Sequence, residues 1–108
     1  QSFCDMVART ADLMGIDQIG LGSDLCQSQP DSVVEWMRVG RWTKQIDYGE
    51  GSKSAPGFPA QPIWFEDNRH FGNIEAGLRA AGFSDQDTAK VMGGNWYRFF
   101  DRSFSPEG

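Results

Sequence analysis

The sequence predicts an α/β fold in which one buried strand ends on a carboxylate at the edge of a sheet. Residues 15–24 (GIDQIGLGSD) alternate aliphatic side chains with glycines, which is typical of a crowded strand rather than of a helix interior. Asp24 ends this apolar pattern, and a long polar stretch follows it. A strand that carries an acid to the start of a loop is typical of the C-terminal edge of a β/α barrel or of an open α/β sheet.

The composition of the chain limits the classes of function. Its 108 residues fit one domain or part of one, and the net charge of −5 argues against a nucleic acid or an anionic membrane surface as partner. No apolar run approaches the roughly 18 residues that a membrane span needs, and no signal peptide is visible. Cys4 and Cys26 do not make a disulfide framework, which favours a reducing compartment such as the cytoplasm and leaves one bridge open. Because residues 1–3 (QSF) are not an initiator sequence, we expect the chain to begin part-way through a longer protein.

The first element is predicted to be a helix over residues 3–14. Apolar side chains recur at Phe3, Val7, Ala11 and Met14, at the spacing of one helix face. Gly15 is a natural C-terminal stop. The predicted strand, residues 17–23, follows directly.

Residues 25–72 are predicted to form a long loop. A short helix at 32–39 is the one element expected within it, with Gly40 ending that helix. The rest is rich in glycine, proline and aromatic residues. A loop of this length is uncommon in a compact domain and is usually functional when it occurs.

Two short helices are predicted at the end of the chain, at residues 73–81 and 85–93. Asn73 is the expected N-cap of the first helix and Gly82 its stop. Residues 84–87 (SDQD) resemble a capping box for the second helix, which the pair Gly93-Gly94 ends. The aromatic residues that follow, 96–100, have helix-like spacing and are predicted to belong to the core.

Asp24 is the strongest candidate for a functional side chain. An acid at the C-terminal end of a strand can donate a proton, accept one or bind an ammonium group. The structural alternative is an Asx-turn or a cap for the loop that follows.

The other candidates are weaker. His70 has no nearby His or Cys with which to bind a metal, and Cys26 has no nearby base that would make it a nucleophile. A polar surface residue and a small packed thiol are therefore the favoured interpretations. The acids of the middle stretch match no EF-hand spacing, and Gly93-Gly94 lacks the strand that precedes a phosphate-binding loop. These acids are Asp47, Glu50, Glu66 and Asp67.

Two stretches of the chain resemble the membrane (renal) dipeptidases. Residues 11–24 (ADLMGIDQIGLGSD) are similar to the family's last barrel strand, whose pattern is G-x-x-x-(V/I)-G-(I/L)-G-(S/G)-D-F-D-G. Residues 73–100 are similar to the family's closing pattern, in which N-I, L and G-(Y/F)-S-(E/D) precede G-G-N-(W/L)-x-R-(V/F)-F. The motifs occur in the family's order, whereas the middle stretch does not match.

This resemblance implies the C-terminal part of a (β/α)₈ TIM-barrel metallohydrolase, with the last barrel strand, a long loop and the closing helices. The family hydrolyses dipeptides at a two-zinc centre whose bridging hydroxide attacks the scissile carbonyl. Its metal ligands are a His-x-Asp pair, a bridging Glu and two later His residues on earlier strands, and none of those motifs occurs in this chain. The zinc ligands are therefore expected in an N-terminal segment that completes the barrel, and the full protein is expected to be a homodimer.

The acid that follows the family's last strand aligns with Asp24. The resemblance implies that Asp24 is both the catalytic and the substrate-binding residue of this segment: it would hold the substrate's amino group and handle the proton delivered to the leaving nitrogen. The chain departs from the family pattern immediately afterwards, because residues 24–27 (DLCQ) lack the second acid and the glycine. The segment alone is expected to be inactive, since it has no metal site.

Two other functions stay open. The first is a non-catalytic, α-rich interaction module with a surface of exposed tryptophans. The second is another barrel hydrolase of the amidohydrolase type, which can also place a single acid after its last strand. The tryptophans in question are Trp36, Trp42, Trp64 and Trp96.

Overall fold

The computed structural model describes residues 2–38 and 57–106. Of these residues 64% are helical, and none lies in a β-strand. No helix among them is long and apolar enough to cross a membrane. In chain order the elements are α1 (Phe3–Met14), a 3₁₀ turn (Ile16–Gln18), α2 (Asp31–Arg38), a 3₁₀ turn (Asn68–His70), α3 (Phe71–Ala80), α4 (Asp85–Ala89), a π-helical turn (Lys90–Gly94) and α5 (Asn95–Phe104).

The predicted strand at residues 17–23 is wrong, and with it the prediction of an α/β barrel segment. Its beginning is the 3₁₀ turn Ile16–Gln18, and the residues after the turn have no regular secondary structure. Ile19 is extended, but a strand also needs a neighbouring backbone to pair with. In the described residues the carbonyl groups of Ile19 and Leu21 instead accept hydrogen bonds from side chains of α5. The described residues form a small all-helical structure rather than part of an α/β barrel.

The chain divides into two compact units, residues 1–23 with 68–108 and residues 24–67. In the first unit α3 packs against α1 and α4, and the π-helical turn packs against the 3₁₀ turn Ile16–Gln18. The second unit contains α2 and buries Val34 and Phe65. The buried apolar side chains of the first unit are Val7, Ile19, Ile74, Leu78 and Val91.

Helix α1 has the bounds that its apolar spacing predicts. The Ser2 side chain accepts a hydrogen bond from the backbone N–H of Asp5, and the Asp5 carboxylate accepts one from the N–H of Ser2. This reciprocal pair is a capping box. At the other end Gly15 has a φ of 87°, a left-handed conformation that glycine adopts without steric strain.

Helix α3 begins two residues before the predicted start. Its N-cap is His70 rather than Asn73, and the His70 side chain makes no capping hydrogen bond. At the C-terminal end Gly82 stops the helix, as the sequence predicts. It has a φ of 97° and its N–H donates to the Arg79 carbonyl. The N–H of Phe83 donates to the Leu78 carbonyl, which completes a Schellman motif.

The predicted helix at residues 85–93 consists of two elements and is followed by a third. Ser84 caps α4 by accepting a hydrogen bond from the N–H of Asp87, which is one half of the predicted capping box; the reciprocal bond to the Asp87 carboxylate is not made within the described residues. A π-helical turn replaces the second half of the predicted helix, and non-helical dihedrals at Gly93 produce a kink. The glycine pair therefore does not end the helical segment, because α5 begins at Asn95.

The predicted long loop contains more structure than its composition indicates. Helix α2 starts one residue before the predicted short helix, and α3 occupies the last positions of the range. Gly40, Trp42, Asp47 and Glu50, together with the predicted end of the short helix, lie outside the described residues.

The prediction that the aromatic tail belongs to the core is wrong. The Trp96 side chain is 43% exposed, and Phe99, Phe100 and Phe104 are more exposed still. The rings stack on one another along α5 instead: Trp96 and Phe100 have centroids 5.7 Å apart, and Phe100 and Phe104 have centroids 6.0 Å apart. Spacing identifies a common helix face but not the surface that would cover it.

Candidate functional site

Asp24 lies at the start of the second unit with its side chain exposed. Its φ is 48°, in the left-handed region that aspartate tolerates better than most residues. No hydrogen bond or ion pair joins its carboxylate to another residue of the described ranges, so the capping role considered as an alternative is not visible there.

The other predicted candidates do not come together as a site. Cys4 and Cys26 are free thiols, and burial together with the nearby Asp5 carboxylate raises the pKa of Cys4. His70 lies at the start of α3, where it is half-buried. Within residues 2–38 and 57–106 no group of three or more His, Cys, Asp or Glu side chains could hold a metal ion. The described side chains thus do not fit a zinc centre.

Asn95 connects the start of α5 to the turn after α1. Its side-chain Nδ2 donates to the carbonyl oxygens of Ile16 and Ile19, each at 2.7 Å. Its Oδ1 accepts a hydrogen bond of 2.6 Å from Nη2 of Arg98. Asn95 is buried, so the amide would be unfavourable there without these partners. Both of its N–H donors and its acceptor are used, and the turn is fixed by a side chain rather than by a neighbouring strand.

Trp96 extends this connection by one step along the chain. Its indole Nε1 donates to the Leu21 carbonyl at 2.9 Å. Gly20 lies directly against the indole. A Cβ at this position would therefore clash with Nε1, Cε2 and Cδ1 of Trp96. Gly22 has no such contact, since nothing lies within 4 Å of its Cβ position. Close approach to Trp96 is thus a reason for glycine at position 20 but not at position 22.

A group of charged side chains surrounds the same turn. Lys90 Nζ lies 2.9 Å from Oδ1 of Asp17 and 3.6 Å from Oδ1 of Asp87, and Arg98 Nη2 lies 3.6 Å from Oδ1 of Asp17. The hydrogen bond from Lys90 is the main reason that the pKa of Asp17 is lowered, with smaller effects of the charges on Lys90, Arg98 and Arg102. The same hydrogen bond raises the pKa of Lys90. Both groups therefore stay charged over a wide pH range.

A pocket of about 240 Å³ opens beside this group. It lies between the 3₁₀ turn and α5, with Arg98 and Arg102 one helical turn apart and the Phe99 ring in its wall. Two guanidinium groups next to an aromatic ring can bind an anion that carries an apolar substituent. The sequence does not predict this pocket, because its residues are far apart in the chain. The available signal was the polar pair Asn95 and Arg98 within an otherwise aromatic segment.

Comparisons with protein-family models, with curated proteins and with solved structures give no match for this chain. The resemblance to the dipeptidases therefore depends only on the two motifs in the sequence.

Proposed function

We propose that this chain is a segment of a metal-dependent dipeptidase, in which Asp24 binds the substrate's amino group. The observation that carries the proposal is that the two motifs behind the resemblance are in direct contact. Asn95 and Trp96 of the G-G-N-W motif donate to the carbonyl groups of Ile16, Ile19 and Leu21 in the glycine-rich motif. These hydrogen bonds between the two motifs are a structural reason for both motifs to occur in the same chain.

The conformation around Asp24 also supports the proposal. The anchored stretch ends at Leu21, three residues before the exposed carboxylate, and Asp24 makes no hydrogen bond or ion pair to the described residues that would occupy it. In a dipeptidase such a carboxylate would bind the protonated amine of the substrate by a charge-assisted hydrogen bond. It would later handle the proton that goes to the leaving nitrogen.

The zinc of such an enzyme would have to be bound outside the described residues, since these hold no suitable cluster of ligands. The proposal therefore includes a second polypeptide segment that supplies the metal and the attacking water. A metal-bound hydroxide is the nucleophile that such a centre supplies. This chain would contribute Asp24 and the surface around it.

The first test determines the mass, the size and the zinc content of native material. Co-elution of the 12.0 kDa chain with a longer polypeptide, about two zinc ions per complex and hydrolysis of dipeptides would support the proposal. A folded chain that elutes alone and without metal would contradict it. Hydrolysis of cyclic amides but not of dipeptides would favour the amidohydrolase alternative.

The second test addresses Asp24 in that complex. We expect Asp24→Asn to reduce dipeptide turnover by about 100-fold or more while zinc content is unchanged, because the amide cannot transfer the proton or balance the ammonium charge. Asp12→Asn is the matched control, since Asp12 is an exposed acid of α1. Equal activity of the two variants would exclude a role of Asp24 in catalysis.

The exposed aromatic face of α5 favours a second candidate, the non-catalytic interaction module. Trp96, Phe99, Phe100 and Phe104 form a continuous row of ring contacts at the surface. A monomeric chain that unfolds cooperatively, together with native material free of zinc and peptidase activity, would support this candidate and contradict the first. Of the four tryptophans expected to form the binding surface of such a module, Trp42 lies outside the described residues, and the indole N–H of Trp96 donates to the Leu21 carbonyl within the chain.

A further inference from the structure

The pocket beside the 3₁₀ turn Ile16–Gln18 contains an uncompensated positive charge. Arg102 lines the pocket and makes no hydrogen bond or ion pair with any residue of the described ranges. Its charge is the smallest of the causes that lower the pKa of Asp17. A guanidinium group that faces a pocket without a protein partner is available to an anion.

Arg98 contributes a second guanidinium group, which the protein holds in place. Its Nη2 donates to Oδ1 of Asn95 at 2.6 Å and to the carbonyl oxygen of Asp17 at 3.1 Å. Its other N–H groups have no hydrogen-bond partner within residues 2–38 and 57–106. A guanidinium carries five N–H donors, so a side chain fixed through one nitrogen still offers a fork to a ligand.

The acid in the pocket does not cancel both of these charges. Asp17 Oδ1 is 2.9 Å from Lys90 Nζ and 3.6 Å from Arg98 Nη2, so its single negative charge is shared between a lysine and an arginine. Lys90, Arg98 and Arg102 together outnumber Asp17 and Asp87 around the turn. This local excess of positive charge is the reverse of the chain as a whole, whose net charge is −5.

The rest of the lining indicates what kind of anion fits. Gln18 and Ser103 supply an amide and a hydroxyl group, and Phe99 supplies an aromatic wall that continues into the aromatic row of α5. A free phosphate would use the charges but not the ring. A carboxylate attached to an aromatic or aliphatic group would use both.

We propose that this pocket binds the carboxylate of an apolar acid, with Arg102 and Arg98 on the carboxylate and Phe99 against the apolar part. Asp24 is not among the residues that line this pocket, and the inference does not depend on the dipeptidase proposal.

The test is a titration of the chain, followed by nuclear magnetic resonance of the backbone and arginine side-chain N–H groups, with N-acetylphenylalanine and inorganic phosphate as probes. We expect N-acetylphenylalanine to bind at least several-fold more tightly than phosphate and to shift the signals of Arg98 and Arg102. Arg102→Gln should weaken its binding by about tenfold, because one charge-assisted contact is lost. Asp17→Asn should tighten binding, because it removes the only carboxylate of the pocket lining.

Arg79→Gln is the matched control, since Arg79 is an α3 arginine that pairs with Glu75 and Asp85 and does not line the pocket. It should bind the probe as the unmodified chain does. Three results would each overturn the proposal: no saturable shift of the two arginine signals, equal affinity of Arg102→Gln and the unmodified chain, or tighter binding of phosphate than of N-acetylphenylalanine.

Discussion

Two regions of the first unit are stabilised by different kinds of interaction. Between the 3₁₀ turn and the start of α5, the contacts are hydrogen bonds from Asn95, Trp96 and Arg98 to backbone carbonyl groups. Between α1, α3 and α4 the buried side chains are mainly aliphatic, with Leu78 fully buried. The first region depends on particular donors and acceptors, whereas the second depends on apolar area removed from water. The first unit therefore contains a part that tolerates little chemical change and a part that tolerates other apolar side chains of similar shape.

The largest expected effect distinguishes these two regions at Asn95. Asn95→Asp keeps the shape of the side chain but replaces the Nδ2 donor by an oxygen that faces the carbonyl groups of Ile16 and Ile19. Because three acceptors then meet without a proton between them, we expect the free energy of unfolding to fall by about 2–4 kcal/mol. Urea denaturation followed by circular dichroism measures this change.

Asn68→Asp is the control for that substitution, since Asn68 is exposed at the start of a 3₁₀ turn. It should change the free energy of unfolding by no more than about 0.5 kcal/mol. A similar small effect of Asn95→Asp would show that the hydrogen bonds of Asn95 do not hold the turn.

The next largest effect concerns the two glycines of the anchored stretch. Gly20→Ala places a methyl group against the Trp96 indole, and we expect a loss of about 1–3 kcal/mol together with a change in tryptophan fluorescence. Gly22→Ala has open space at its Cβ position and a φ outside the left-handed range, so it should stabilise the chain by about 0.4–1 kcal/mol. Equal effects of the two substitutions would contradict the close packing of Trp96 on Gly20.

A smaller effect follows from the ion pair of Asp17 and Lys90. The pKa of Asp17 is lowered, so its contribution to stability is present above the value of the unfolded chain, about 3.9, and is lost as the pH falls through the lowered pKa. The pKa of Lys90 is raised, so its contribution is present below about 10.4 and is lost as the pH rises through the raised pKa. Asp17→Asn should remove the acid-side dependence that this pair causes. Unfolding midpoints measured from pH 2 to 7 test this, and an unchanged profile in the variant would contradict it.

The contrast between the two regions also explains what the sequence could predict. Helix α1 follows from the apolar spacing of Phe3, Val7 and Ala11 and from the stop at Gly15, all of which are local signals. The prediction of a strand at residues 17–23 is wrong because alternating glycines and aliphatic residues are also compatible with an extended stretch whose carbonyl groups are hydrogen-bonded by side chains. Its actual partners, Asn95 and Trp96, lie more than 70 positions away.

The candidate site shows the same limit. Asp24 could be singled out because it ends an apolar run, which is a local signal, and the structure leaves it exposed. The pocket could not be predicted in this way, because it forms only where the folded chain brings Gln18 close to Arg98 and Arg102. No spacing rule connects these positions. In the aromatic tail the helix-like spacing of Trp96, Phe99 and Phe100 agrees with α5, but burial depends on a covering surface, which spacing does not specify.

The smallest expected effect is at Thr88, the buried polar side chain of the apolar region. Thr88 is 1% exposed, and its Oγ1 has no hydrogen-bond partner in the part of the chain that the structure describes. Thr88→Val keeps the shape and removes the unpaired hydroxyl, so the free energy of unfolding should stay the same or rise by up to about 1 kcal/mol. Thr88→Ala also removes a methyl group from the core and should lower it by about 1 kcal/mol. If Thr88→Val instead destabilised the chain as much as Thr88→Ala, the hydroxyl would have a partner, and this region would depend on specific polar contacts as the junction at Asn95 does.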